Sequence, residues 1–398
     1  MAVKFKKPEI NIREKLAELD KSSGIAGEAV LRAETPQEQF NLIGAGRKNM
    51  IINGDMRIDQ RNSGTAISAL TGNNEFPLDR WFINQAGVYS SASLVTAGQN
   101  LDSLTPPAGF DKYIGVKIIN ATAADANPFL SIRQIIEGHN IAHLDYGKST
   151  AKDITISFWA RTNHPGVYAL TLRGGTTQTA YVTEFSIDAA NTWQYISLVI
   201  PGQSNTATTW SNAATEGLVV NIGLGSFQGT YASNTLNKWV TGGFTGSTTQ
   251  HQKFAQTNGN AFYVTGFQLE AGNVSTPFEH RSHGEELALC QRYFTVMPNG
   301  IFGISSSSST FVYSYQLPVQ MRAAPTVSLT STNQRQGDTV AQGISVTSAS
   351  VSNNLYTTNA VAVFIITGTL SAAATPYRMY LYEATSAFPA KVHLKAEL

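Results

Sequence analysis

The chain has 398 residues, 42% of them hydrophobic but only 14% charged, with a formal net charge of +1 and one cysteine. That charge content lies well below the usual quarter or so of globular proteins, and Ser, Thr, Asn, Gln and Gly supply the polarity instead. A balance this neutral excludes a general nucleic-acid binder, the lone Cys290 excludes an intrachain disulfide framework, and no run approaches the roughly 18 apolar residues of a membrane span.

The first seven residues are basic but lead into Pro8–Glu9 without an apolar core, so no secretory signal is expected. Within residues 1–47, Ile12, Leu16 and Leu19 fall four and three apart, a narrow apolar stripe on a helix of about three turns. A helix that short is marginal alone in water. The stripe is therefore expected to pack on its own chain, on identical chains or on a larger assembly. Thr35–Pro36–Gln37–Glu38 carries an N-cap, a first-turn proline and a capping-box acid, and the helix it opens should stop at Gly44–Ala45–Gly46.

Residues 48–279 are patterned as strands and loops. Met50–Ile51–Ile52 runs into Asn53–Gly54–Asp55, a short buried strand ending in a turn. More than two hundred residues later Phe262 to Glu270 alternates as a strand with one buried face. These two are expected to pair as the first and last strands of one sandwich, with Ile51 and Val264 in a single core. Between them Trp81–Phe82, Leu130 to Glu137, Ile154 to Arg161, Val167 to Leu172, Ala180 to Ile187, Trp193 to Ile200 and Leu218 to Leu224 read as strands. With no long helical pattern between them, an antiparallel sandwich follows. Trp81, Trp159 and Trp193 are expected in its core.

Glu285 to Phe294 reads as a short helix within a linker at 280–294, and Leu287, Cys290 and Phe294 share its domain-joining face. Residues 295–398 form a further β region with strands at Phe311 to Tyr315, Thr326 to Leu329, Ala360 to Thr367 and Arg378 to Tyr382. The fold class is thus mainly β: an N-terminal helical arm, a jelly-roll-like antiparallel β-sandwich, a short linking helix and a C-terminal β-sandwich domain.

No catalytic constellation stands out. His139 and His143 have metal-ligand spacing only if helical, and Gly138 argues for a loop there. Glu137, Asp145, Asp153 and Glu184 are acids without a recognisable pairing for glycoside hydrolysis, and a thiol on an apolar helix stripe is ordinarily packed. Sugar binding needs only exposed aromatics with amide neighbours. The long loops at 201–216 and 226–259 supply them in Trp210, Phe227, Tyr231, Asn234, Trp239 and Phe244.

Asn49 to Met56 followed by Asp79–Arg80–Trp81 resembles the opening of many bacteriophage tail-fibre and related virion proteins. Ser157 to Arg161, Gly266 to Gly272, Thr276 to Glu279 and Glu285 to Phe294 extend the resemblance over residues 9–295, and the arm at Ile10 to Leu16 is similar to those of marine phage structural proteins. The middle region is also similar to jelly-roll carbohydrate-binding modules. The resemblance implies a non-enzymatic virion protein, made in the host cytoplasm and commonly a homotrimer. It would dock on other tail or capsid proteins through residues 1–47 and attach to host surface polysaccharide. A capsid decoration or head fibre is the alternative, and a polysaccharide-degrading tailspike a weaker one. Modules of that kind often hold calcium near the first and last strands. Here Arg57 and Gly266 stand where acids are usual, so no metal or other cofactor is expected.

Overall fold

The computed structural model describes residues 47–70, 74–87, 94–122, 129–225, 229–249, 254–330, 334–337, 344–353, 357–383 and 391–398. Ile12, Leu16 and Leu19, and the helical arm they were read to form, lie outside the described residues, as does Phe227.

Fifteen strands build the first unit: β1 (Ile67–Leu70), β2 (Glu75–Leu78), β3 (Trp81–Ala86), β4 (Val95–Gln99), β5 (Ile114–Ile118), β6 (Phe129–Glu137), β7 (Ile154–Thr162), β8 (Gly166–Gly174), β9 (Thr179–Ile187), β10 (Gln194–Ile200), β11 (Glu216–Gly223), β12 (Ala232–Ser233), β13 (Trp239–Thr241), β14 (Gly246–Ser247) and β15 (Ala261–Ala271). Sheet I has the order β1-β4-β5-β15-β7-β10 and sheet II the order β13-β9-β8-β11-β6-β3-β2. Every pairing in both is antiparallel. Two-residue alternation turns Ile154, Ile156 and Phe158 of β7 inward to meet Leu170, Leu172, Val220 and Ile222 of the other sheet in one core. The mainly β architecture read from the sequence is the one observed.

The two ends of the sandwich do meet, and Ile51 and Val264 lie in the same core cluster. The opening run is not a ladder strand, however. Met50 N–H donates to Leu269 C=O at 2.9 Å, and Phe267 N–H donates to Gly54 C=O at 2.8 Å. Between them the Asn49 amide stands in for backbone. Its oxygen accepts from Ile51 N–H and Leu269 N–H, both at 3.0 Å, and its nitrogen donates to Phe267 C=O at 3.1 Å. Gly54 is needed here because a Cβ would sit 2.2 Å from the Phe267 carbonyl oxygen. Gly266 occupies a bulge of β15 at φ +62°, where a Cβ would strike the Phe110 ring at 2.6 Å. Glycine at position 266 is therefore explained by shape.

Helix α1 (Gly138–Ile141) and a 3₁₀ turn at Ala142–Leu144 replace the loop expected around the two histidines, because β6 ends at Glu137 and the chain must turn sharply under β11. Helix α2 (His283–Gln291) begins earlier than expected. Ser282 caps it, accepting from Glu285 N–H at 3.3 Å, and Phe294 has already left it to pair in a sheet.

The second unit contains β16 (Phe294–Val296), β17 (Phe302–Ser307), β18 (Thr310–Gln316), β19 (Thr326–Leu329), β20 (Gln334–Gly337), β21 (Ile344–Asn353), β22 (Val361–Leu370), β23 (Met379–Glu383) and β24 (Val392–Lys395). Six of these close into a barrel, β17-β18-β22-β21-β20-β23, around Phe311, Tyr313, Phe364, Ile366, Tyr380 and Tyr382. The other three form the sheet β16-β24-β19. The barrel thus removes its sheet edges by closure, where a sandwich was expected, while the three-stranded sheet stays open.

The two units are bolted together. Arg292 makes a bidentate pair with the buried Glu137, at 2.8 Å on both arms. Glu397 pairs with both Arg61 and Arg80, whose guanidiniums lie 3.7 Å from the Phe294 ring and 3.5 Å from the Tyr293 ring. Among the described residues no helix is long and apolar enough to cross a membrane.

Asn49→Ala strips two buried N–H groups and one C=O of their partner. It is expected to cost about 2–4 kcal/mol in denaturant unfolding, against less than about 0.5 kcal/mol for Asn234→Ala on the surface.

Candidate functional site

The loop aromatics are distributed over two places. Trp210 and Trp239 come together at 5.9 Å and close a cluster with Tyr146, which lies 5.1 and 5.7 Å from them, and Tyr181, 5.4 Å from Trp239. Trp239 Nε1–H donates to Pro201 C=O at 2.7 Å, and both indoles pack against the main core. Tyr231, Asn234 and Phe244 lie instead on the stretches flanking β13, 229–238 and 242–249, which lie against the outer face of sheet II. Tyr231 meets Phe129 edge-on at 4.7 Å, while Ser247 and Thr249 both donate to Glu184 on that face. Asn234 is exposed and its side-chain oxygen accepts from Thr235 Oγ1 at 3.3 Å. Phe244 is half-buried over Gly242.

The outer face of sheet I carries an aromatic surface that the sequence reading had placed inside. Trp81 is fully buried as expected. Trp159 and Trp193 are half-buried. Since Ile156, Phe158 and Ala160 point into the core, pleating sends Trp159 outward. It sits opposite Tyr195 in the β7–β10 register, with rings 5.3 Å apart at 55°. The next pairs down the two strands are Ser157 with Ser197 and Thr155 with Val199. Tyr195 is 43% and Val199 49% exposed. Strand β10 is the edge of the sheet, so this strip is open on one side.

On the other side it is walled by the loop before β5. Trp193 Nε1–H donates to Thr105 C=O at 2.8 Å and its ring abuts Tyr113 at 5.6 Å. Tyr263 O–H donates to Asp102 at 2.7 Å, and Lys117 pairs with the same carboxylate at 2.9 Å. Burial alone would push the Asp102 carboxyl up, but the bonds from Tyr263 and Lys117 hold it below its ordinary value. The wall is therefore polar and fixed. The alternation of β7 alone was enough to find Trp159. Tryptophan's general preference for burial points the other way.

The acids considered for hydrolysis are each engaged in structural contacts. Glu137 is clamped by Arg292, which outweighs the upward push of burial on its carboxyl. Asp145 pairs with Lys148 at 2.6 Å, Asp153 accepts from Gly202 N–H at 2.9 Å, and Glu184 is held by Ser247 and Thr249. Burial drives the Cys290 thiol well above its usual range. Asp55 faces Arg57, and no three His, Cys, Asp or Glu side chains among the described residues converge as a metal site. A cavity of about 970 Å³ beside Arg47, Lys48, His143, Lys152 and Asp153 shares no lining residue with either aromatic face.

No family model and no curated protein matches the chain. Solved structures with a similar chain path include the enzymatically active domain of bacteriophage CBA120 tailspike protein 4, at 13% identity and a TM-score of 0.30 over 56% of this chain and 21% of that one. A CBM4 structure follows at 15% identity and a TM-score of 0.27, over 55% of this chain and 98% of that one. TmCBM61 in complex with β-1,4-galactotriose gives 10% identity and a TM-score of 0.27, over 57% of this chain and all (100%) of that one. At these values no residue, ligand or activity is carried over.

Trp239→Ala opens a void beside Trp210, Tyr146 and Tyr181. It is expected to lower unfolding stability by about 2–3 kcal/mol, measured by chemical denaturation.

Proposed function

We propose that the protein is a non-enzymatic attachment component of a phage virion, a tail or receptor-binding fibre that binds host surface polysaccharide. The observation that carries the binding half is the Trp159–Tyr195 pair. Two aromatic faces stand on paired strands of a rigid sheet, open at the β10 edge, with the exposed Ser197 alongside. A pyranose ring offers an apolar face and a rim of hydroxyls. Stacking on indole and phenol uses the first, and hydroxyl side chains and the walled flank use the second. Rigid aromatics lose little side-chain entropy on contact. The engagement of Glu137, Asp145, Asp153 and Glu184 elsewhere supports binding without bond cleavage. The virion half is supported by the sequence resemblance over residues 9–295, and it includes docking through residues 1–47.

Trp159→Ala and Tyr195→Ala are expected to weaken binding to host polysaccharide at least tenfold in affinity electrophoresis while leaving the thermal midpoint within about 2 °C, since both rings lie outside the core. Unchanged binding in the double variant, or release of reducing ends from the polysaccharide, would sink this reading.

We place the homotrimer contact on the barrel. Phe302, Ile304, Met379 and Tyr377 are 50%, 53%, 57% and 85% exposed, and Ile304 is the register partner of Met379. An apolar strip of this kind on a closed barrel is a costly surface to leave in water. The double variant Ile304→Asp, Met379→Asp should run as a monomer in light scattering where the parent chain runs as a trimer. A parent chain that is already monomeric refutes the assignment.

A further inference from the structure

We propose that the outer face of sheet II holds an anion site, built on Arg133 and Arg173, that takes the carboxylate of an acidic sugar. It lies on the opposite sheet from Trp159 and Tyr195 and does not depend on them.

Register places the parts. Arg133 of β6 is opposite Asn221 of β11, and Asn221 is opposite Thr171 of β8. Arg173 is two residues beyond Thr171, so it shares that face. Their neighbours Ile132, Leu170, Leu172, Val220 and Ile222 all point into the core, which fixes the four polar side chains on the outside. Yet this outside is covered. Arg133 is 6% exposed, and Asn221 and Thr171 are fully closed to solvent, beneath the segment that carries Tyr231 and Phe244. Arg173 is half-buried.

The charges there are not balanced. Arg133 Nε–H donates to Asn221 Oδ1, and its guanidinium lies 5.9 Å from the Phe82 ring. Among the described residues neither Arg133 nor Arg173 has a carboxylate within ion-pair distance. Glu216 acts on Arg133 only through space, and Glu184 is taken by Ser247 and Thr249. Among the described residues three polar atoms at the same spot have no hydrogen-bond partner: Asn221 Nδ2, Thr171 Oγ1 and Arg173 Nε. Burial, and next the charge of Arg173, bring the Arg133 guanidinium down to about 9. Burying a cation without a counter-ion is among the most costly arrangements a fold can hold, and setting a second cation beside it adds repulsion.

An anion between the two guanidiniums reverses both costs. Each guanidinium presents a planar fork that matches the two oxygens of a carboxylate. The Asn221 amide supplies a further donor, and Thr171 a hydroxyl for a neighbouring ring oxygen or hydroxyl.

The test uses the full chain, with thermal unfolding followed in sodium glucuronate, glucose and sodium sulfate at matched ionic strength. Glucuronate is expected to raise the midpoint in a saturable way, and glucose to leave it unchanged. Arg173→Ala should weaken glucuronate at least tenfold, and Arg173→Lys less so. Because Arg173 adds repulsion in the free protein, Arg173→Ala should not lower the ligand-free midpoint. Equal shifts with glucose and glucuronate overturn the site, as does a glucuronate response that survives Arg173→Ala. A sulfate response as large as that of glucuronate overturns the carboxylate assignment, and a large ligand-free loss in Arg173→Ala assigns the arginine to structure instead.

Discussion

The sandwich depends on how the backbone of residues 48–58 is satisfied. This run is buried without belonging to a sheet, and each buried N–H and C=O must find a partner. Side chains supply them. Gln134 mimics a strand neighbour, accepting from Ile52 N–H and donating to Ile52 C=O, both at 2.9 Å. Glu279 accepts from the N–H groups of Lys48 and Asn49, Glu286 accepts from Asn53 N–H, and Arg281 donates to Asn49 and Ile51 C=O. Asn53, held at φ 58°, donates to Ile58 and Asp79 C=O, accepts from Ile58 N–H, and receives Trp81 Nε1–H on its own carbonyl. A network this dense is rigid, and removing one member strands the others.

The same network accounts for the two acids in the first turn of α2. Its first turn delivers Glu286 to the buried Asn53, and Arg281 just before it bridges Glu279 and Glu286 at 3.0 and 3.4 Å. Burial pushes the Glu286 carboxyl up, and Arg281 with the Asn53 N–H pulls it back. The helix then hands over Cys290 and Tyr293 to a small cluster with Ile52 and Ile58. Helix, opening run and closing strand are therefore one mechanical part, and both candidate ligand faces are mounted on sheets that this part locks.

Strand alternation was readable because the inner faces are predominantly apolar, as in Ile154, Ile156 and Phe158. The pairing of distant ends was readable from the turn at Asn53–Gly54 and the alternation of Phe262 to Leu269. Three things were not. Single-strand patterns carry no information on which sheet face a covering loop will choose, so the burial of Arg133 and Asn221 was invisible. The Trp210–Trp239 pairing joins two loops through Tyr146 and Tyr181, a contact no local pattern encodes. Barrel closure in residues 302–383 depends on the β17–β23 pairing between the two ends of the set, and the short polar strands there look alike in sequence.

The contacts of the opening run also set an order of assembly during synthesis. Asn49 and Ile51 need Arg281, some 230 positions later, to cover their carbonyls. At a translation rate of about 5–20 residues per second, roughly 10–50 s separate the two on the ribosome. For that interval Met50, Ile51 and Ile52 are emerged, sticky and unanswered, a window in which a chaperone or a sister nascent chain can claim them.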